Sequence, residues 1–83
     1  MKRSFRRFET RLDRTFLRDK LEARALKLHV TLRDLYDGPR TTSVVTARRD
    51  AYLWLRKQGK GINEIARLFD RAPSGIFQMT RER

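Results

Sequence analysis

The sequence predicts an all-α fold, a small helix-turn-helix bundle of about five helices. Three observations carry that expectation. Apolar residues recur at three- and four-residue spacings along most of the chain. The turn formers Gly38, Pro39, Gly59 and Pro73 fall between those periodic stretches. Strand character is confined to Ser43-Val44-Val45-Thr46, and the helical period runs straight through it. With 83 residues, 39% of them hydrophobic, the chain can hold one small core but no large active-site cavity. Residues 1–30 are expected to form a long basic amphipathic helix within the same domain. Residues 31–83 are expected to form the helix-turn-helix unit.

The first helix is expected from about Ser4 to Leu28, since no Gly or Pro interrupts it. Phe5, Phe8, Leu12, Phe16, Ala23 and Leu26 share one apolar face. Arg3, Arg7, Arg11, Arg14 and Arg18, spaced 4, 4, 3 and 4 apart, share another. A second apolar row, Leu17, Leu21 and Leu28, begins halfway along and is the expected interface of a possible homodimer.

Thr31 and Asp34 then read as a capping box, with Val30 and Leu35 as its hydrophobic staple. Asp37-Gly38-Pro39 stops that short helix, and residues 38–43 form a loop. A third helix from about Val44 carries Val44, Ala47, Ala51 and Leu55, flanked by Tyr52 and Trp54, and ends at Gly59 as a C′ glycine. A fourth covers about Ile62–Phe69. A fifth covers about Pro73–Arg83, with Pro73 at its first position.

The chain carries 21 Lys+Arg against 10 Asp+Glu, a net charge of +11, and 16 of its bases are arginine. Such a charge favours polyanionic partners, and arginine suits bidentate contacts to phosphate and guanine. There is no cysteine, and His29 alone cannot build a metal site, so it is read as structural and no metal or cofactor is expected. No paired carboxylates, glycine-rich phosphate loop or nucleophile with a base is visible; the expectation is a protein that is not an enzyme and has no small-molecule substrate. No uncharged run approaches the ~20 residues of a membrane span, and no apolar segment of a signal peptide follows the basic start. No membrane partner is expected. The expected setting is the cytoplasm of a bacterial or phage-infected cell, associated with the nucleoid.

The decisive pattern lies in Ile62–Arg81. A helix-turn-helix wants apolar residues at its fourth, eighth, fifteenth and eighteenth positions and a small one at its fifth. Counted from Ile62, these are Ile65, Phe69, Ile76, Met79 and Ala66. Asp70 stands where the turn often has glycine, and Asp tolerates left-handed backbone better than most residues.

Further matches are Asp34-Leu35 followed by a loop containing Arg40, the stretch Ala47-Arg48-Arg49-Asp50-Ala51-Tyr52-Leu53-Trp54-Leu55, and Glu64-Ile65-Ala66-Arg67-Leu68-Phe69. Through these, Ala25 to Arg81, about two thirds of the chain, resembles the C-terminal DNA-binding domain of the bacterial replication initiator DnaA. That family carries Glu-Ile-Gly-x-x-Phe, then Gly-Arg-Asp-His-(Ser/Thr)-Thr-Val. Here the second stretch is Asp70-Arg71-Ala72-Pro73-Ser74-Gly75-Ile76, which departs at Ala72-Pro73 and Gly75. The same stretch is similar to Gly-Arg-Ser-Pro-Ser-Thr-Ile in helix-turn-helix domains of insertion-sequence transposases. The resemblance implies double-stranded DNA as partner and a basic loop, here Arg40, that reaches the minor groove.

A recognition helix at about 73–82 offers Ser74, Gly75, Phe77, Gln78 and Arg81 to base edges. Gln78 suits adenine, Arg81 suits guanine or phosphate, and Phe77 either meets a thymine methyl or packs. Lys60, Arg71 and Arg48 are the phosphate-contact candidates. The Arg3, Arg7, Arg11, Arg14 and Arg18 stripe is open to three readings: a solvated face, a phosphate-tracking surface, or a helix lying on anionic lipid. The expected function is a sequence-preferring duplex DNA binder that regulates transcription or replication. The alternative is a phage-type interaction protein that keeps the frame but binds a host protein.

Overall fold

Ser4 opens the described chain as an N-cap, its hydroxyl accepting from the Arg7 amide at 3.3 Å. A computed structural model describes residues 4–81 and forms six helices from them, with no strand among the described residues. They are α1 (Phe5–Asp13), α2 (Arg18–Lys27), α3 (Leu32–Asp37), α4 (Thr42–Lys57), α5 (Ile62–Phe69) and α6 (Pro73–Thr80).

The expected single N-terminal helix is two helices joined by a corner. Thr15 makes the break: its hydroxyl donates to Leu12 O at 2.6 Å and accepts from the Leu17 amide at 3.1 Å, so it competes for backbone partners a helix would use. Phe16 then takes a left-handed backbone, φ 60°, and turns the chain. The packing reason is rotational. At about 100° per residue, a straight helix would place the Phe8–Leu12 pair and the Leu21–Ala25 pair on nearly opposite sides. The corner lets all four enter one core, where all are buried.

This corrects the expected faces. Phe8 and Leu12 are buried and Phe5 packs against the core, but Phe16 is 92% exposed, and Leu26 and Ala23 also face outward. Leu21 is fully buried within its own chain, Leu17 is half-buried and Leu28 lies at the surface. The three leucines therefore do not form one exposed row available to a second copy.

The arginine stripe also breaks at the corner. Arg18 belongs to α2 and folds back to Glu9 at 2.8 Å and Asp13 at 3.2 Å, tying α2 to α1. The hydrogen bond to Asp13, opposed by burial and reinforced by Glu9, raises the Arg18 pKa above the usual arginine value. Arg3 lies outside the described residues.

The remaining elements follow the expected signals closely. Thr31 and Asp34 form the capping box of α3, and Val30 and Leu35 beside it are buried. Helix α2 ends with His29 at φ 63°, the Val30 amide bonding back to Ala25 O and the His29 amide to Leu26 O. Helix α4 ends the same way at Gly59, φ 91°, with Lys60 bonding to Leu55 O and Gly59 to Arg56 O. Both are Schellman closures. Helix α4 begins two residues earlier than expected because the Thr41 hydroxyl accepts from the Val44 amide. Helix α6 starts at Pro73, as expected, and ends at Thr80.

An aromatic column joins four of the helices. Phe8 of α1 stacks on Tyr36 of α3 at 4.9 Å and meets Phe69 of α5 at 4.9 Å, and Phe69 meets Tyr52 of α4 edge-on at 5.0 Å. Each such pair contributes roughly 0.5–1.5 kcal/mol beyond the area it buries. Helix α6 packs against α4 and α5, the elements that carry the Tyr52 and Phe69 end of the column.

Phe16 combines an exposed ring with a backbone that costs a bulky L-residue about 1 kcal/mol or more. Phe16→Gly is therefore expected to raise unfolding stability by up to about 1 kcal/mol, read as a higher urea midpoint with an unchanged m-value. A lower midpoint contradicts the strain at this corner.

Candidate nucleic-acid interface

Helices α5 and α6 pack through the residues the pattern selected. Ile65, Phe69 and Ile76 are fully buried, Ala66 is buried, and Met79 packs half-buried against them. The turn between them depends on Asp70, which ends α5 in the left-handed region at φ 54°, ψ 45°. The Arg71 amide reaches back to Ala66 O at 2.9 Å, closing the helix. The Asp70 carboxylate accepts from Arg11 at 2.7 Å and from the Tyr36 hydroxyl at 2.6 Å, so α1 and α3 both hold the turn. Arg11 also donates to Leu68 O at 3.2 Å. Arg11 is thus a brace for the turn, and not one member of a free cationic stripe.

Around α6, Ile76 and Thr80 face inward, while Ser74, Gly75, Phe77 and Gln78 are exposed, and Arg81 follows just past the helix end. Ser74 and Gln78, four apart, form the crest of that face. Gly75 and Phe77 lie on opposite flanks, and each flank borders a groove against α4.

The first groove, about 550 Å³, brings together Arg40, Arg48, Arg71, Gly75 and Gln78 from the expected set, with Val45, Tyr52, Asp70 and Met79. A Cβ built on Gly75 meets nothing within 4 Å, so its backbone stands open to an approaching molecule. Arg40 is exposed at the groove's edge, on a loop whose turn needs glycine: a Cβ on Gly38 would lie 2.6 Å from Asp34 O. The second groove, about 500 Å³, brings Phe77 and Arg81 together with Leu53, Arg56 and Lys57.

Several expected phosphate contacts have structural partners instead. Arg48 is only 5% exposed, and its guanidinium donates to Leu35 O at 2.9 Å, Asp34 O at 3.1 Å and Gly38 O at 2.8 Å. It supplies a donor to the Leu35 and Gly38 carbonyls and a second one to that of Asp34, which the Gly38 amide also reaches, so it fixes the Arg40 loop and is not free for a phosphate. Arg71 is half-buried and donates to Tyr36 O at 3.2 Å. Lys60 lies 3.9 Å from Glu64, a weak surface pair. Arg7 and Arg14 remain exposed on α1 and its corner.

Sequence reasoning missed Arg49, Val45, Arg56 and Lys57. Arg49 is exposed and donates through Nε to Met79 O at 3.1 Å, capping a carbonyl in the last turn of α6. The signal was present: Thr42, Val45, Arg49 and Arg56 lie at helical spacings of 3, 4 and 7 along α4 and share a face. Among the described residues there is no cluster of three or more His, Cys, Asp or Glu that can hold a metal ion. No helix of the described residues is long and apolar enough to cross a membrane.

Compared with known protein families, curated proteins and solved structures, the chain matches none.

Arg48→Met is expected to destabilise the fold by about 2 kcal/mol, because it removes the donor to the buried Leu35 carbonyl and the tie to Gly38 O. Arg40→Met, at an exposed position, is expected to leave stability within about 0.5 kcal/mol. Urea denaturation of both variants checks this, and equal midpoints contradict the structural role of Arg48.

Proposed function

We propose that the protein binds double-stranded DNA with sequence preference, inserting α6 into the major groove, and acts as a small regulator of transcription or replication. The observation that carries this reading is the α5–α6 pair itself. Its core is closed by Ile65, Phe69 and Ile76, while the outer face of α6 is uncharged and exposed, with Ser74 and Gln78 at its crest. Such a face can approach base edges, since no acidic residue of α6 repels the duplex. The charge needed for the backbone stands on either side, on Arg40, Arg49, Arg56, Lys57 and Arg81, within a chain of net charge +11.

Ser74 and Gln78 are the base-reading residues in this mechanism. Gln78 offers a donor and an acceptor in one plane, which matches the N6 and N7 edge of adenine. Gly75 lets the helix backbone come close. Arg40, on the loop fixed by Arg48, contacts phosphate or the adjoining minor groove, and Arg49 and Arg81 take phosphates on the far side. These contacts position the module, and the crest of α6 reads the sequence. The likeness of Ala25–Arg81 to the DNA-binding domain of the DnaA initiator supports the same frame. The departures at Ala72-Pro73 and Gly75 imply a target site of its own.

Selection of bound sites from random duplex DNA tests this directly. A defined motif supports the reading, and recovery of unselected DNA or none contradicts it. Gln78→Ala is expected to flatten the preference by about 1–3 kcal/mol at one base pair. Arg40→Ala is expected to weaken all sequences alike and to lower the salt slope by about one. Gly75→Ala separates binding from folding. It is expected to leave stability equal or raise it by up to about 1 kcal/mol, because the added methyl fits free space and favours helix. Duplex affinity is expected to fall on the order of tenfold as the close approach is lost. Unchanged affinity in a folded Gly75→Ala protein contradicts the placement of α6.

A further inference from the structure

The Phe77 side of α6 has a different chemistry from its crest. There α6 and the C-terminal half of α4 enclose a groove of about 500 Å³ lined by Leu53, Arg56, Lys57, Phe77, Thr80 and Arg81. That volume falls within the roughly 300–1,000 Å³ of small-ligand sites. Among the described residues that line it, three are cations and none is a carboxylate. Phe77 is 49% exposed, next to the buried Ile76, and could have been a polar residue without loss to the core.

We propose that this groove seats an unpaired nucleotide of a single-stranded nucleic acid, its base stacked on Phe77 and its phosphates held by Arg56, Lys57 and Arg81. An aromatic face beside a row of cations is the common chemistry of single-strand sites, because every base has a π-face and every linkage a charge. A paired base cannot use Phe77 in this way, since its two faces are covered by neighbours in the stack. Position agrees with that. Phe77 precedes Gln78 and stands about 100° from it around α6, so when the crest meets a duplex groove, Phe77 lies at the Arg56–Lys57 edge of the footprint. An acidic peptide would satisfy the cations, but the apolar part of the groove is a single flat ring and one leucine. That surface matches a planar base better than an aliphatic or branched anchor. The inference concerns single strands and does not require that α6 read a duplex.

The test is fluorescence anisotropy at low salt with the full chain. The probes are a labelled dT oligomer of about 10 nucleotides, the same oligomer with its bases removed, and a duplex of matched length. Phe77→Ala is expected to weaken oligo-dT binding on the order of tenfold, the loss of one stacked base, and to leave the duplex within about twofold. Removing the bases is expected to weaken wild-type binding by a similar factor. Phe77→Trp is expected to retain oligo-dT binding and to show emission quenched by it. The wild type, whose only tryptophan is Trp54, is expected to show no quenching. Circular dichroism verifies that the variants are helical, and if Phe77→Ala misfolds, the Trp quenching and the abasic probe decide alone. The inference is overturned by any of four results: no oligo-dT binding by the wild type, equal binding of the base-free oligomer, equal losses on duplex and single strand in Phe77→Ala, or displacement of oligo-dT by a Glu- and Phe-containing peptide that binds more tightly. Absence of duplex binding alongside intact oligo-dT binding removes the duplex reading and leaves this one standing.

Discussion

Asp70 sets the relation between the two halves of the molecule. Its backbone turns left-handed to end α5, and its carboxylate faces Arg11 of α1 and the Tyr36 hydroxyl of α3. The ion pair is about one-third exposed on each side, so solvent screens much of its strength. Its value is directional. A glycine would make the same turn with less strain, but it would lose the bonds to Arg11 and Tyr36 Oη and leave α6 held by apolar contacts and the Arg49–Met79 and Arg71–Tyr36 backbone-carbonyl bonds. With aspartate, the turn is pinned at an angle that the α1 and α3 side chains define.

The N-terminal half of the chain can be understood from that pin. Phe8 stacks on the Tyr36 ring whose hydroxyl reaches Asp70, and Arg11 sits one helical turn further along α1. The Thr15–Phe16 corner then brings α2 back so that Leu21 and Ala25 close the same core. At the other edge, Arg48 of α4 spends its donors on the carbonyls of Asp34, Leu35 and Gly38 and so holds the start of the loop that carries Arg40. Part of the chain's positive charge is thus structural, and of the exposed bases Arg40, Arg49, Arg56, Lys57 and Arg81 flank α6 while others, Arg7 and Arg14 among them, stand elsewhere.

Side-chain periodicity made the α5–α6 core, the capping box of α3, the Gly59 closure and the Pro73 start legible in the sequence. It also showed that the second half of the first helix had two apolar sides. It did not show how that conflict is resolved, because the break uses neither Gly nor Pro. The corner depends on the Thr15 hydroxyl and on a Phe16 backbone that only a tertiary gain can sustain, and so the Leu17–Leu21–Leu28 row looked like an interface. The arginines were legible by type but not by role. Nothing in the identity of Arg48, Arg11 or Arg18 reveals whether its donors are spent inside the protein; the carbonyls and carboxylates they satisfy come from residues 13, 59 or 9 positions away. The α4 row of Val45, Arg49 and Arg56 gains its meaning only from the packing of α6 beside it, which the spacing of residues within α4 does not reveal.

The central claim is that the outer face of α6 is the surface that meets DNA. Amide chemical-shift mapping of the folded chain during titration with duplex DNA tests it most directly. The account predicts the largest changes at Ser74, Gly75 and Gln78, with smaller ones along the Arg40 loop, and little change at the Phe16 corner. Changes centred on α1 and α2, or a spectrum that duplex leaves untouched at low salt, would contradict it.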